Sequence, residues 1–377
     1  MILIKNVQVF APEYLGLKDI LIAGGKIVEI SENINIDVEY IIEANKKILV
    51  PGFIDNHVHV TGGGGEAGFF SKAPEIKASE ILKNGITTVM GLLGTDGYTR
   101  NVENLVSKLY GLRESGLSAY GFTGSYSYPS ITITGEVEKD ILFIDPIIGC
   151  KIALCDHRSS FITKQELTRL MSKVRVSSML SNKAGALVIH MGDEPEGMKL
   201  IREITKEIKV SKSIFRPTHM NRNSMLSKES LSYVKEGGYV DYTAKISKED
   251  TPTSLILELL DRNYDTSKVT VSSDANGSYS TYDDNQNLID IGVSSISSLY
   301  DEWIALENQL YDFSKSLIYF TSNVAKAYKL KNKGEIKKGN DADLLILNDN
   351  LEKEYVIANG KIFVENKNWV KDSIIEF

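Results

Sequence analysis

The chain has 377 residues, 42% hydrophobic and 25% charged. Those values exclude disordered, collagenous and coiled-coil fibre proteins, and the length suits one large domain plus a small one. Lys and Arg number 43 against 50 Asp and Glu, a formal charge of −7, which argues against a broad nucleic-acid partner while leaving small anionic substrates open. Cys150 and Cys155 lie five apart on one apolar run, face opposite sides of a strand and read as buried free thiols of a reducing compartment. The start, MILIKNVQVFAPEY, has no long apolar h-region, and no run approaches the ~20 apolar residues of a membrane span. The expectation is a cytoplasmic protein with no membrane or nucleic-acid partner.

Residues 2–10, 19–30 and 38–49 are β-branched and partly alternating, and Gly24-Gly25 reads as a two-residue hairpin turn. From 51 to about 330 short apolar strands alternate with amphipathic helices. The strands fall at 53–60, 87–93, 118–125, 148–156, 186–192, 214–220, 239–244 and 269–274. Helical patterns such as 74–85 and 101–116 end in glycine, an ordinary helix stop. Eight strands with intervening helices suit a closed parallel barrel, an α/β fold of the (β/α)8 TIM-like type. A doubly wound sheet is the competitor, but no G-x-G-x-x-G follows the first strand. The end of the chain returns to β patterns at 341–348 and 355–365, with Asn359-Gly360 a strong hairpin signal. The two ends are too small to hold separate cores. They are expected to pair as one small β-sandwich domain, 1–50 with 331–377, beside a catalytic barrel, 51–330.

Four of the five histidines fall at the C-terminal ends of expected strands, where barrel active sites sit. His57 and His59 form an H-x-H, and residues two apart on a strand point the same way, so both imidazoles meet one metal from one side. His190 and His219 each end a later strand and Asp274 ends the eighth. Any one of these alone is more often a hydrogen-bonded core residue; together they form a metal-site constellation. His157 is left over, with a pocket or supporting role. Lys151 sits inside an apolar strand, where an ammonium is costly. It has three ways out: a neutral amine, a salt bridge to a buried acid, or carbamylation by carbon dioxide, which would turn it into an anion able to bridge two cations.

PGFIDNHVHV, the lone lysine of the fourth strand, the later histidines and GEIKKGNDADLLIL resemble the amidohydrolase superfamily. HVHVTGGGGEAG, GLLGTD, TGSYSYPS, TITGEVEKD, CDHRSS, HMGD, PTHMNRN and SSDANGS are more specifically similar to its isoaspartyl dipeptidase family, over essentially the whole chain. The resemblance implies a barrel with a small β domain and two Zn2+ ions per subunit bridged by carbamylated Lys151. His57 and His59 would hold one ion, His190 and His219 the other, with Asp274 completing the first site. It also implies a larger homo-oligomer. The reaction implied is hydrolysis of the β-aspartyl bond of a small dipeptide by a hydroxide shared between the two ions. Asp274 would move the proton, and Tyr126 would donate to the developing oxyanion. Tyr128, two residues on, is the alternative donor.

An isoaspartyl dipeptide carries one ammonium and two carboxylates. Glu66 is the candidate for the ammonium and Arg158 and Arg222 for the carboxylates, with hydroxyl contacts from Thr95 and Ser278. The run Gly62–Gly65 reads as backbone yielding space for substrate, since no Lys-Ser/Thr follows as in a phosphate loop. Two rivals stand beside this reading: a cyclic-amide hydrolase of the dihydroorotase or hydantoinase type, and a metal-free scaffold that has lost its ligands. Acyl transfer through serine has no G-x-S-x-G to support it.

Overall fold

The structure, a computed structural model, describes residues 1–370 except 284 and 286. The chain opens with β1 (Ile2–Phe10), β2 (Tyr14–Ala23), β3 (Lys26–Ser31), β4 (Tyr40–Glu43) and β5 (Ile48–Pro51). The eight expected barrel strands follow with their helices: β6 (Phe53–Val58), α1 (Ala78–Lys83), β7 (Ile86–Gly91), α2 (Val102–Glu114), β8 (Ser118–Gly124), α3 (Val137–Phe143) and β9 (Ile147–Leu154). Then come α4 (Lys164–Ser181), β10 (Ala186–Met191), α5 (Lys199–Glu207), β11 (Phe215–Thr218), α6 (Ser224–Lys235), β12 (Val240–Thr243), α7 (Pro252–Asp261) and β13 (Val269–Ser272). A hairpin of β14 (Ser278–Tyr282) and β15 (Leu288–Val293) precedes α8 (Ser298–Leu310). The chain returns through β16 (Leu344–Leu347), β17 (Lys353–Ala358), β18 (Lys361–Glu365) and β19 (Asn368–Trp369).

β6 to β11 form one parallel sheet in sequence order and β12 pairs β13 in parallel. The seams are bridged by Met220 N to Asp241 O at 3.2 Å and His59 N to Ala275 O at 2.8 Å, so the eight strands curl into a TIM-like barrel. β6, β7, β9 and β10 are buried along their length, as a sheet covered by helices requires. The helices pack on it through apolar stripes: Val102, Leu105, Leu109 and Leu112 are the buried face of α2. Caps fix where helices begin, with Asn101 on α2, a Thr163–Glu166 capping box on α4 and Asn223 on α6. α1 is shorter than its sequence pattern, and no side chain caps its start.

The strands of both chain ends form a single nine-stranded sheet, with β16 antiparallel to β5 and so joining the two ends. Ile4, Val7, Ile20, Ile22, Leu344, Ile346 and Ile357 share its own buried cluster. Its expected turns form as read: Gly24 and Gly25 lie at φ +56° and +79°, Asn359 and Gly360 at +47° and +72°, the backbone a type I′ hairpin needs. Cys150 is buried but Cys155 is only half-buried, since it follows β9 rather than lying within it; both are free thiols. Among the described residues no helix is long and apolar enough to cross a membrane.

Candidate active site

Parallel register brings the expected ligands together. Lys151 lies opposite Val188, and Ala153 opposite His190. Val188 and His190 alternate onto one face of β10, so Lys151 shares that face with His190. His219 and Asp274 stand just past β11 and β13 with left-handed backbones, φ +62° and +53°. That conformation costs a non-glycine residue about 1–2 kcal/mol and clusters at functional sites. His59 is wedged in place: a Cβ on Gly94 would lie 2.7 Å from His59 Cε1, and one on Gly277 2.9 Å from His59 Cδ2.

His57, His219 and Asp274 offer ligand atoms all within 4.8 Å of one another, a candidate divalent-metal group. His59 Nε2 lies 3.3 Å and His57 Nε2 3.4 Å from Asp274 Oδ1. Lys151 Nζ, fully buried, is 2.9 Å from His57 Nε2. His190 instead turns its ring to the Tyr126 hydroxyl, 2.6 Å from Nδ1, and to Asp156 Oδ2, 2.9 Å from Nε2. Its ring centroid is 4.6 Å from that of His219. His219 Nδ1 meets Thr243 Oγ1 at 2.8 Å, leaving Nε2 as its ligand nitrogen.

The electrostatics suit metal ligation. Burial holds the imidazoles of His57, His190 and His219 well below the usual histidine range, hence neutral, as a ligand must be. Burial also lowers the Lys151 ammonium to about 7. Asp274 Oδ1 and the Nδ1 atoms of His57 and His59 are buried without a hydrogen-bond partner among the described residues. Orphaned buried acceptors are rare, and a cation held by Asp274 Oδ1 and the Nε2 atoms facing it would satisfy that oxygen. The donor set therefore fits a divalent metal.

A cavity of about 490 Å3 opens onto this group, within the range of small-molecule sites. Its wall holds every expected substrate-binding residue: Glu66, Thr95, Arg158, Arg222 and Ser278, together with Tyr126. Ser278 Oγ donates to Glu66 Oε1 at 2.7 Å, and Arg158 Nη1 lies 3.4 Å from the same oxygen. Glu66 Oε2 and Arg222 Nε are buried without a partner among the described residues. Burial pushes the Tyr126 phenol far above its ordinary range, so it stays a neutral donor. Tyr128 does not line the cavity, and its backbone N–H donates to Ser160 Oγ. His157 is likewise outside the lining, 3.7 Å from Asp156. The glycine run mostly yields to backbone rather than to substrate: a Cβ on Gly62 would lie 2.1 Å from Ala73 O, although Gly64 does line the cavity.

Three contributions escaped the sequence reading. Asp156, 3% exposed, takes Arg158 Nε at 2.8 Å and Nη2 at 2.7 Å while also holding His190. Burial opposes its charge, but the hydrogen bonds from Arg158 and His190 outweigh it and keep the carboxyl far below the usual range. Thr243 orients His219. The β14–β15 hairpin supplies Tyr279, Ser280, Thr281 and Val293 to the cavity wall; its alternating residues around Asp283–Asn287 are the signal that would have exposed it.

The amidohydrolase family model matches residues 48–375. The chain belongs to the amidohydrolase family. Over 98% of both chains it is similar to the β-aspartyl dipeptidase of Fervidobacterium islandicum AW-1 in complex with the β-Asp-Leu dipeptide, at 38% identity and a TM-score of 0.93. A second structure of that Fervidobacterium enzyme gives 37% and 0.90 with the same coverage. A D-hydantoinase from Thermus sp., at 16% identity and a TM-score of 0.64, shares the fold. Among curated relatives, the dihydroorotase of Macrococcus caseolyticus is 24% identical over 273 residues, 68% of this chain and 60% of that one. The dihydroorotase of Clostridium acetobutylicum is 39% identical over 109 residues, 28% of this chain and 25% of its own. The chain thus spans less than two thirds of the dihydroorotases it matches.

Proposed function

We propose that this protein is a metal-dependent β-aspartyl dipeptidase. The observation that carries the reading is the Glu66 group. A carboxylate with one buried oxygen that has no partner among the described residues lies beside Arg158 and Ser278, in the same cavity as the histidine and aspartate cluster. A free α-ammonium would pair the open Oε2 of Glu66, and cyclic amides such as dihydroorotate carry none. Likeness to the Fervidobacterium dipeptidase over 98% of the chain supports the same reading.

In this reading residues 51–330 carry catalysis, and 1–50 with 331–377 form the small β domain. His57, His59 and Asp274 would hold one Zn2+ ion and His190 and His219 a second. Lys151, once its neutral amine had added carbon dioxide with formation of an N–C bond and loss of a proton, would supply an anionic oxygen donor to the ions. The absence of a carboxylate within hydrogen-bond reach of Lys151 Nζ among the described residues favours that escape over a salt bridge. When bound, the ions lower the pKa of water and polarise the scissile carbonyl. The chain's own residues do the rest. Arg158 and Arg222 take the two carboxylates, Thr95 and Ser278 add hydroxyl contacts, and Glu66 fixes the ammonium. Tyr126 donates its phenol to the carbonyl oxygen as charge develops there. Asp274 accepts the proton of the attacking water and passes it to the departing amine. Free thiols at Cys150 and Cys155 suit the cytoplasm.

The rival is a cyclic-amide hydrolase, favoured by the partial dihydroorotase matches. Turnover of β-Asp-Leu is compared with that of dihydroorotate and hydantoin on one metal-loaded preparation. Hydrolysis of the dipeptide alone is expected; preference for a cyclic amide would replace this reading with its rival.

A further inference from the structure

Asp156 is a buried acid that the proposed reaction does not use. It follows β9 directly after Cys155, in the loop that also carries His157 and Arg158. Oδ1 accepts from the backbone N–H of Arg158 at 2.8 Å and from its Nε at 2.8 Å. Oδ2 accepts from Arg158 Nη2 at 2.7 Å and contacts His190 Nε2 at 2.9 Å. One oxygen therefore serves a guanidinium and an imidazole at once, with 3% of the residue exposed to competing water.

We propose that Asp156 is a positioning residue that couples carboxylate recognition to metal binding, by holding Arg158 and His190 through one carboxylate. The proton on His190 is fixed first. An anionic acceptor on Nε2 keeps the N–H there and leaves the lone pair on Nδ1, the nitrogen that faces Tyr126. A carboxylate behind a metal-binding histidine sets its tautomer and ring angle, and its loss commonly costs 10- to 100-fold in metal affinity. Arg158 is fixed by the same group. Its Nε and Nη2 are tied to Asp156, so Nη1 is the arm directed at Glu66 and the cavity wall. A shift of Asp156 moves both partners, so each should feel a substitution of the other although no direct contact between them is present among the described hydrogen bonds.

The inference rests on the dipeptidase reading for the Arg158 half only; the His190 half stands on metal affinity. The test uses the intact chain loaded with Zn2+. Zinc affinity by chelator competition, and kcat and KM for β-Asp-Leu, are measured for the native protein, Asp156→Asn, Arg158→Met and the double variant. Asp156→Asn is expected to weaken the more loosely held zinc about 10- to 100-fold and to raise KM severalfold. Arg158→Met is expected to weaken zinc binding by a smaller factor in the native background and to add nothing further in the Asp156→Asn background, since both act through one carboxylate. Native zinc affinity in Asp156→Asn, or an Arg158→Met effect that is absent or simply multiplies, would overturn the coupling. Thermal unfolding with the metal removed separates these outcomes from misfolding: the variants should unfold within a few degrees of the native apoprotein, and a collapse confined to Asp156→Asn moves the test to Asp156→Glu, where zinc affinity nearer native than that of Asp156→Ala is required. If the native protein leaves β-Asp-Leu untouched, the dipeptidase reading fails while the zinc arms still decide the link between Asp156 and His190.

Discussion

Ser278 Oγ reaches across 212 residues of sequence to donate to Glu66 Oε1 at 2.7 Å. The contact ties the loop after β6 to the start of β14 and leaves the other oxygen of Glu66 buried and without a partner among the described residues. A carboxylate held this way is preorganised for an ammonium. Blocking the substrate amine leaves the buried Oε2 without a donor, which costs more than the lost contact. N-acetyl-β-Asp-Leu is therefore expected to be a very poor substrate. Glu66→Gln should lose activity on the free dipeptide and much less on the acetylated one. Equal fold-changes in kcat/KM for the two substrates would remove Glu66 from amine recognition.

Lys151 is expected to be indispensable for metal. Lys151→Ala should lose most bound metal and nearly all activity, while Lys151→Met, which keeps the volume of the buried chain, should fold normally and lose metal alike. Metal analysis beside thermal unfolding checks this. Full metal occupancy with native turnover in either variant would exclude a bridging role.

Asp274→Asn keeps shape but removes the proton acceptor. The expected result is a fall in kcat of roughly two or more orders of magnitude, the scale of general acid–base loss. Steady-state kinetics are read against zinc content. A native kcat with metal retained would assign proton transfer to another group.

Much of this site was legible because barrel topology turns sequence position into space. A histidine or aspartate at the end of a strand must face one mouth of the barrel, so His57, His190, His219 and Asp274 could be gathered from their positions alone. Periodicity likewise gave all eight strands within a few residues. Asp156 was not legible, since its role depends on how the loop after β9 folds back onto β10, and a polar loop residue has no periodicity to reveal that. The run Gly62–Gly65 reads as space for substrate, yet Gly62 accommodates the backbone of Ala73; Gly94 and Gly277, which carry no such signal, accommodate the His59 ring. The β14–β15 hairpin is an antiparallel insertion after the last barrel strand, which the α/β alternation of the preceding chain does not signal.

Arg222 lines the cavity with Nε buried and unpartnered among the described residues. A charge-assisted hydrogen bond contributes about 1.5–3 kcal/mol, so Arg222→Met should lower kcat/KM for β-Asp-Leu roughly 10- to 150-fold, chiefly through KM. An unchanged KM would place Arg222 outside substrate recognition.

The central claim is that the cavity hydrolyses the β-linked, not the α-linked, aspartyl bond, and does so with metal. It is tested most directly by following β-Asp-Leu and α-Asp-Leu side by side on the native protein, before and after a chelator and again after zinc is restored. Rapid cleavage of β-Asp-Leu, little cleavage of α-Asp-Leu, loss of activity with chelator and recovery with zinc are expected. Equal cleavage of the two isomers, or β-Asp-Leu turnover that survives complete metal removal, would contradict it.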